Sequence, residues 1–414
     1  MSNISSSGLC LPIGTYLRQN NYQIEDYLGQ GGFGITYKAI YRRNNARIAI
    51  KELWTENGYR QGTTMIWPSS IPPASKREQI EKFGIEASYL KQCKSENITD
   101  VYDWFEENNT IYMVMELIDG QPLSSVIRTE GLLSERRLVN YIIQVASALD
   151  IVHQNNLLHR DIKPDNIMLD KCDRAVLIDF GTAREFIAGK TGDMTRMLTP
   201  AYAPIEQYLS RTKRLPATDL YSLCACMYEL LTGELPSSSM ERSYALADES
   251  TDPLIPPRQL NSNINPSLEQ IILQGMRFRI EERWQTAREL IDNLNIIFPN
   301  KPPRASLTSQ HQNAPITRYS LSKINLIGLF STDTGPVDID LEGFPGDSTV
   351  SRHHAEISWQ GGRWTIRDLG STNGIFIKPT GRNRFGTRIT TPVILNSGDE
   401  IAFGRVRFLF ETMT

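Results

Sequence analysis

The chain has 414 residues, 40% of them hydrophobic and 22% charged, with a formal net charge of −3. That length exceeds one ordinary core and suggests two or three domains, and the near-neutral balance gives no electrostatic reason to expect nucleic acid or an anionic membrane as the main partner. Five cysteines without paired CxxC spacing point to neither a disulfide framework nor a zinc site, and no segment has the length and apolarity of a leader or a membrane span, so a cytoplasmic protein is expected.

Residues 1–15 read as a tail, followed by strand-like stretches, YQIEDYLGQGGFGITYKAIY at 22–41 and ARIAIKEL at 46–53. Gly29, Gly31 and Gly34 fall between two strands, a context that disfavours a dinucleotide fingerprint and favours a hairpin whose backbone can approach triphosphate oxygens. Lys51 adds a cation within the second stretch. An insert follows at 54–75, with two Trp and three Pro, and reads as a packed loop; then Ile80, Phe83, Ala87 and Leu90 mark a helix that carries Glu86.

Helical spacing returns at Leu138, Tyr141, Ile142, Val145, Leu149 and Val152, with Ser134 as the expected N-cap. Residues 159–166 then read HRDIKPDN, and after the apolar strand VLID the triplet DFG occupies 179–181. In that order they supply an aspartate, a lysine, an asparagine and a second aspartate, the set that a phosphoryl transfer uses as proton acceptor, phosphate contact and two metal ligands. A further helix is expected from Asp219 to Leu231, stopped by Gly233 and Pro236. Cys224 and Cys226 within it read as packing residues. Pro, Ser, Asn and Gln dominate 298–318, which reads as a linker, and short alternating runs at 319–414 read as a small all-β sandwich.

With these motifs in place, residues 16–297 resemble a eukaryotic-type Ser/Thr protein kinase domain of the bacterial kind. The implied fold is the α+β bilobal protein-kinase fold, followed by the β-sandwich. The resemblance implies ATP and Mg²⁺ (or Mn²⁺) as cofactors and Ser/Thr of protein substrates as acceptors. Lys51 would hold the phosphates and pair with Glu86, Asp161 would orient the substrate hydroxyl, Lys163 would stabilise the γ-phosphoryl, and Asn166 and Asp179 would bind the metal. Ala49 and Met168 would sandwich the adenine, with Met115 as gatekeeper and Glu116 to Ile118 as hinge. Asp219 would brace the catalytic loop, and Glu206 with Arg283 would form a structural ion pair.

Arg160 would receive a phosphate on the activation segment, where Thr191, Thr195 and Thr199 lie; Thr191 or Thr195 is the expected autophosphorylation site, and Thr199 resembles the threonine that contacts the catalytic aspartate. The rival reading, a catalytically silent scaffold, is disfavoured by the intact Lys51, Asp161, Asn166 and Asp179. A metabolite kinase is disfavoured by the full activation segment.

Residues 319–414 resemble a forkhead-associated (FHA) domain through SRHHAEI, LGSTNGIFI and SGDEIAFG. The resemblance implies phosphate contacts from Ser351 and Arg352, a bracing His354, and Asn373 on the peptide backbone. Leu329 stands where the family places an arginine. Two readings remain open, a weakened phosphothreonine reader, whose ligand includes the protein's own activation loop, and a module that serves as a protein contact.

Overall fold

The computed structural model describes residues 9–31, 34–180, 184–185, 199–209, 212–299, 304–333, 335–360 and 363–413. They form two compact units, Met1–Phe298 and Pro299–Thr414.

The first unit begins with strands β1 (Tyr16–Leu17), β2 (Tyr22–Gly31), β3 (Gly34–Tyr41) and β4 (Ala46–Leu53), a small hairpin of β5 (Tyr59–Gln61) and β6 (Thr64–Ile66), helix α1 (Pro73–Leu90), and strands β7 (Val101–Glu107) and β8 (Thr110–Glu116). All except the hairpin join one antiparallel sheet in the order β1-β2-β3-β4-β8-β7. Both faces of β3 and β4 are buried, because side chains that alternate across a strand here meet a core on each side. On the inner face α1 packs Ile80, Phe83, Ala87 and Leu90, the four apolar positions of its helical period. The outer face carries its own cluster of Ile35, Tyr37, Ile48, Ile50 and Tyr112, closed by Leu11, Trp54 and Met65. The 54–75 insert is therefore a lid over apolar strand residues. Leu11 is 4% exposed and the Gly14 amide donates to Ile24 O, so residues 11–15, expected as tail, belong to the fold. Leu9 and Ile13 on either side are exposed, so the short run LCLPIG, broken by Pro12 and Gly14, does not show in sequence which apolar residue is buried.

The rest of the unit is mainly helical. After α2 (Leu123–Glu130), Ser134 caps α3 (Glu135–Gln154) by accepting from the Arg137 amide. Helix α4 (Pro216–Thr232) starts three residues before the expected Asp219, with Pro216 in its first turn, and ends at Gly233 in the left-handed conformation, φ 79°. Every residue from Ala217 to Tyr228 is buried, so α4 is wrapped on all sides, including Cys224 and Cys226. This makes it the scaffold on which the loops of the site are hung.

The second unit holds two five-stranded sheets. Strand Arg304–Ser309 lies inside one of them, paired along its whole length with Val406–Met413. Residues 298–318 are therefore not a linker throughout, and the β-rich domain starts near residue 304 instead of 319. In RASLTS only Ala305 and Leu307 are apolar, both under 5% exposed, while Ser306 is buried as well. Small and hydroxyl residues that a neighbouring strand covers look like linker when composition alone is read. One apolar cluster, from Ala305 to Phe410, fills the space between the sheets.

Candidate active site

The loop His159–Asn166 follows a two-residue strand, Leu157–Leu158, and leads through a 3₁₀ turn, Pro164–Asn166, into the strand Ile167–Asp170. Asp219 of α4, fully buried, holds it from below: its carboxylate accepts from the His159 amide at 2.9 Å and the Arg160 amide at 2.8 Å, with His153 Nε2 at 2.8 Å. Burial by itself would raise this carboxyl, but the His153 side chain and the Arg160 amide hold it below the usual carboxylate range. The anchored amides allow Arg160 to keep φ 66°, a conformation costly for a residue with a Cβ.

The His159 ring lies 4.5 Å from the Phe180 ring, donates from Nε2 to Ile178 O at 3.1 Å and accepts the Asp161 amide on Nδ1 at 3.3 Å. One donor and one acceptor make it a neutral imidazole. Burial pushes its pKa below the ordinary histidine value despite the pull of Asp219 and Asp161. The unfolded chain therefore takes a proton that the folded chain refuses, and the stability due to the neutral ring is present above about pH 6.5 and lost as pH falls through the depressed folded value. Urea midpoints of the full chain should fall between pH 7 and pH 5.5, and fall less steeply in His159→Gln; identical slopes would rule this origin out.

Around Asp161 the loop concentrates charge. Lys163 Nζ lies 3.0 Å from Asp161 Oδ2 and donates to Thr199 Oγ1 at 3.4 Å. Asn166 Nδ2 donates to Asp161 O at 2.7 Å and to Oδ2 at 2.9 Å. Asp179 has φ 60°, which turns its carboxylate out of the preceding strand to ion-pair with Lys51. Burial favours a neutral Lys51, yet the charges of Asp179, Glu86 and Asp161 outweigh it and raise the pKa. Lys51 thus makes an ion pair with Asp179, and the Glu86 carboxylate also acts on its charge.

The glycine hairpin closes over this group. A Cβ on Gly31 would stand 3.9 Å from Asp179 Oδ2, and one on Gly34 would stand 2.3 Å from Glu52 O, so position 34 admits only glycine without backbone movement. Gly29 pairs with Thr36 across the hairpin. Ala49 and Met115 are direct partners in the β4–β8 register, and Met168 faces Pro122 in a neighbouring pairing. Glu116 ends β8 and holds Arg174 at 3.0 Å, and Ile118 accepts the Gly120 amide as the chain leaves the strand. Glu206 and Arg283 form a buried two-armed pair at 2.7 and 3.1 Å.

In the second unit the loops that carry Ser351, Asn373 and Leu329 meet. Ser351 Oγ accepts the Thr372 amide at 3.0 Å, Asn373 Nδ2 donates to Thr349 O at 2.9 Å, and Leu329 N donates to Arg352 O at 3.2 Å. His354 is buried and joins the two loops: Nδ1 accepts the Ser351 amide at 2.9 Å and Nε2 donates to Gly374 O at 3.1 Å. Arg352 is largely exposed, 3.3 Å from Asp333. Leu329 packs against the sandwich core beside the loop that would hold phosphate.

The sequence pattern of the protein kinase domain matches residues 22–295, well over half of the chain. The chain belongs to the protein kinase family. The pattern of the FHA domain matches residues 333–404, so the kinase domain is followed by an FHA domain. A probable serine/threonine-protein kinase of Clostridium acetobutylicum is 31% identical over 293 residues, 70% of this chain and 41% of that protein. The serine/threonine-protein kinase PknA of Nostoc is 29% identical over 350 residues, 82% of this chain and 58% of its own length. The chain thus spans about half the length of the curated relatives it matches. The solved structure described as PpkA-294 in its apo form has a TM-score of 0.59 and 29% identity, covering 69% of this chain and 99% of that one.

Thr191 and Thr195 of the kinase domain lie outside the described residues. Sequence reading missed the part that His159 plays, although its place beside Asp161 was the available signal. It also missed Arg60, which enters the buried network around Glu52 and carries no motif.

Proposed function

We propose that the kinase domain transfers the γ-phosphoryl group of ATP to serine or threonine hydroxyls of proteins. The observation that carries this is the run of side-chain contacts from Thr199 to Lys163, from Lys163 to Asp161 and from Asp161 to Asn166, beside the ion pair of Lys51 with Asp179. Asp161 would accept or orient the acceptor hydroxyl proton, and Lys163 and Lys51 would hold phosphoryl oxygens in line. With its nitrogen committed to Asp161, Asn166 offers its carbonyl oxygen, and with the Asp179 carboxylate it makes a hard-oxygen pair suited to Mg²⁺ or Mn²⁺. Such an ion would neutralise charge on the transferring group. Incorporation of label from ATP into a protein acceptor tests the reading.

Arg160 and the threonines at 191 and 195 fit self-phosphorylation of the activation segment, since a phosphate adds nearly two charges that a guanidinium binds in two-armed fashion. Phosphopeptide mapping after incubation with Mg-ATP should find one of them modified; both unmodified would end that idea. No helix among the described residues is long and apolar enough to cross a membrane. We place the protein in the cytoplasm, the reducing compartment that suits five cysteines none of which is in a disulfide.

The FHA domain we read as a weakened phosphothreonine binder, because Ser351, Asn373 and His354 keep the loop geometry while Leu329 supplies no charge. A charge-assisted hydrogen bond contributes about 1.5–3 kcal/mol, so Leu329→Arg should tighten phosphothreonine-peptide binding by roughly ten- to a hundredfold. Titration of matched phosphorylated and unphosphorylated peptides checks it. An unchanged affinity, or equal binding of both peptides, would leave the protein-contact reading.

A further inference from the structure

Glu52 follows Lys51 in β4, is 0% exposed, and takes no part in the transfer chemistry. Its carboxylate accepts from Arg60 Nη2 at 2.6 Å and Tyr37 Oη at 2.7 Å through one oxygen, and from Tyr112 Oη at 3.1 Å through the other. Arg60 comes from the β5–β6 hairpin. Its guanidinium also donates to Leu9 O and Thr63 O, each at 2.8 Å, and lies 4.8 Å over the Trp54 ring. The Leu11 amide completes the network on Tyr37 Oη at 3.1 Å. A carboxylate taken out of water carries a large desolvation cost, which only a matched cation and full hydrogen bonding offset. Arg60 is the cation for this one, with 3% of its side chain exposed.

The network sits on the far side of the strand from the phosphate contacts, one residue away. Alternation along β4 sends Lys51 to the inner face and Glu52 to the outer. In register, Lys51 is paired with Thr36 and Met113, and Glu52 with Ile35 and Tyr112. The Glu52 carbonyl is also the group against which Gly34 packs. Tyr37 and Tyr112 tie the same carboxylate to β3, the second arm of the glycine hairpin, and to β8, which leads to the hinge.

We propose that Arg60 is a positioning residue for the nucleotide: through its ion pair with Glu52 the β5–β6 hairpin fixes the part of β4 that presents Lys51 and abuts Gly34, and so sets the affinity for the triphosphate. This rests on reading Lys51 and the glycine hairpin as phosphate contacts. The insert is then part of the ATP-binding apparatus, although Arg60 acts from the outer face of the sheet.

The test uses the full chain and a non-hydrolysable Mg-ATP analogue titrated calorimetrically, with thermal unfolding followed in parallel. Arg60→Met should weaken the analogue about tenfold and leave KM for a protein acceptor unchanged. In Glu52→Gln/Arg60→Met no charge stays buried, so the melting temperature should recover, yet the analogue should bind as weakly as in the single variant. Arg60→Lys should regain part of the affinity. If Arg60→Met does not fold, the double variant carries the comparison. A double variant with wild-type affinity would overturn the proposal, because the pair would then act on stability alone, and so would a folded Arg60→Met with unchanged affinity. A wild-type chain that binds the analogue but transfers no label sinks the transferase reading, and these affinities still decide the present one.

Discussion

Asp161→Asn should lower label incorporation from ATP into a protein acceptor by about a hundred- to ten-thousandfold, the range for loss of a positioned acid–base group. The substitution keeps shape. Asn166 Nδ2 can still donate to the main-chain oxygen of residue 161, the Asp219 carboxylate still anchors the amides of His159 and Arg160, and His159 still receives the residue 161 amide. What is lost is the negative charge beside Lys163 and the lone pair that would take the hydroxyl proton. Since that interaction matters in the transition state and hardly in the bound ground state, kcat should carry the loss while nucleotide affinity stays near wild type. Single-turnover transfer together with analogue titration separates the two. Incorporation at half the wild-type rate or more would remove Asp161 from the chemistry, and with it the transferase reading of this loop.

Much of this site is legible in the sequence because its parts are contiguous. HRDIKPDN places Asp161, Lys163 and Asn166 on one short loop, so their proximity follows from chain connectivity and a 3₁₀ turn. The helix carrying Glu86 is equally plain, since its four buried residues obey one period. Long-range pairs are a different matter. Glu206 and Arg283, 77 residues apart, are linked beforehand only by resemblance to a family, and the ion pair of Lys51 with Asp179, across 128 residues, is foreshadowed by neither pattern nor resemblance. Two further features escape even that. Strand Arg304–Ser309 hides in polar composition because its burial depends on Val406–Met413, a strand at the other end of the domain. Arg60 lies in an irregular insert, and its significance appears only once the outer face of the sheet brings Glu52, Tyr37 and Tyr112 to it. Local pattern reveals elements, whereas the partners of a buried charge belong to topology.

Arg283→Met should cost the kinase domain about 3–5 kcal/mol, the usual penalty for breaking a buried ion pair from one side. The side chains of Arg283 and Glu206 are 1% and 2% exposed, so removal of the guanidinium leaves a carboxylate with neither water nor cation. The arginine does more than pair: Nε donates to Arg277 O at 2.7 Å, Nη2 to Phe278 O at 2.8 Å, and the guanidinium lies 4.7 Å over the Tyr221 ring of α4. Methionine can fill much of the volume but satisfies none of these oxygens. Against a total stability of roughly 5–15 kcal/mol for a folded domain, the loss is large enough to move the urea midpoint of this unit clearly. It should also reach the catalytic loop. Glu206 lies in the 3₁₀ turn Ile205–Gln207, and Gln207 Nε2 donates to Arg160 O at 3.2 Å, so a loosened turn releases the residue that precedes Asp161. The exposed pair Arg288–Asp292, with side chains 73% and 60% exposed, is the control: Arg288→Met should leave the midpoint where it is, because water already solvates both partners. If Arg283→Met and Arg288→Met unfold at the same urea concentration, the buried pair is not the brace described here. If Glu206→Leu/Arg283→Met recovers the midpoint lost in the single variant, the damage came from the stranded charge and not from the missing arginine contacts.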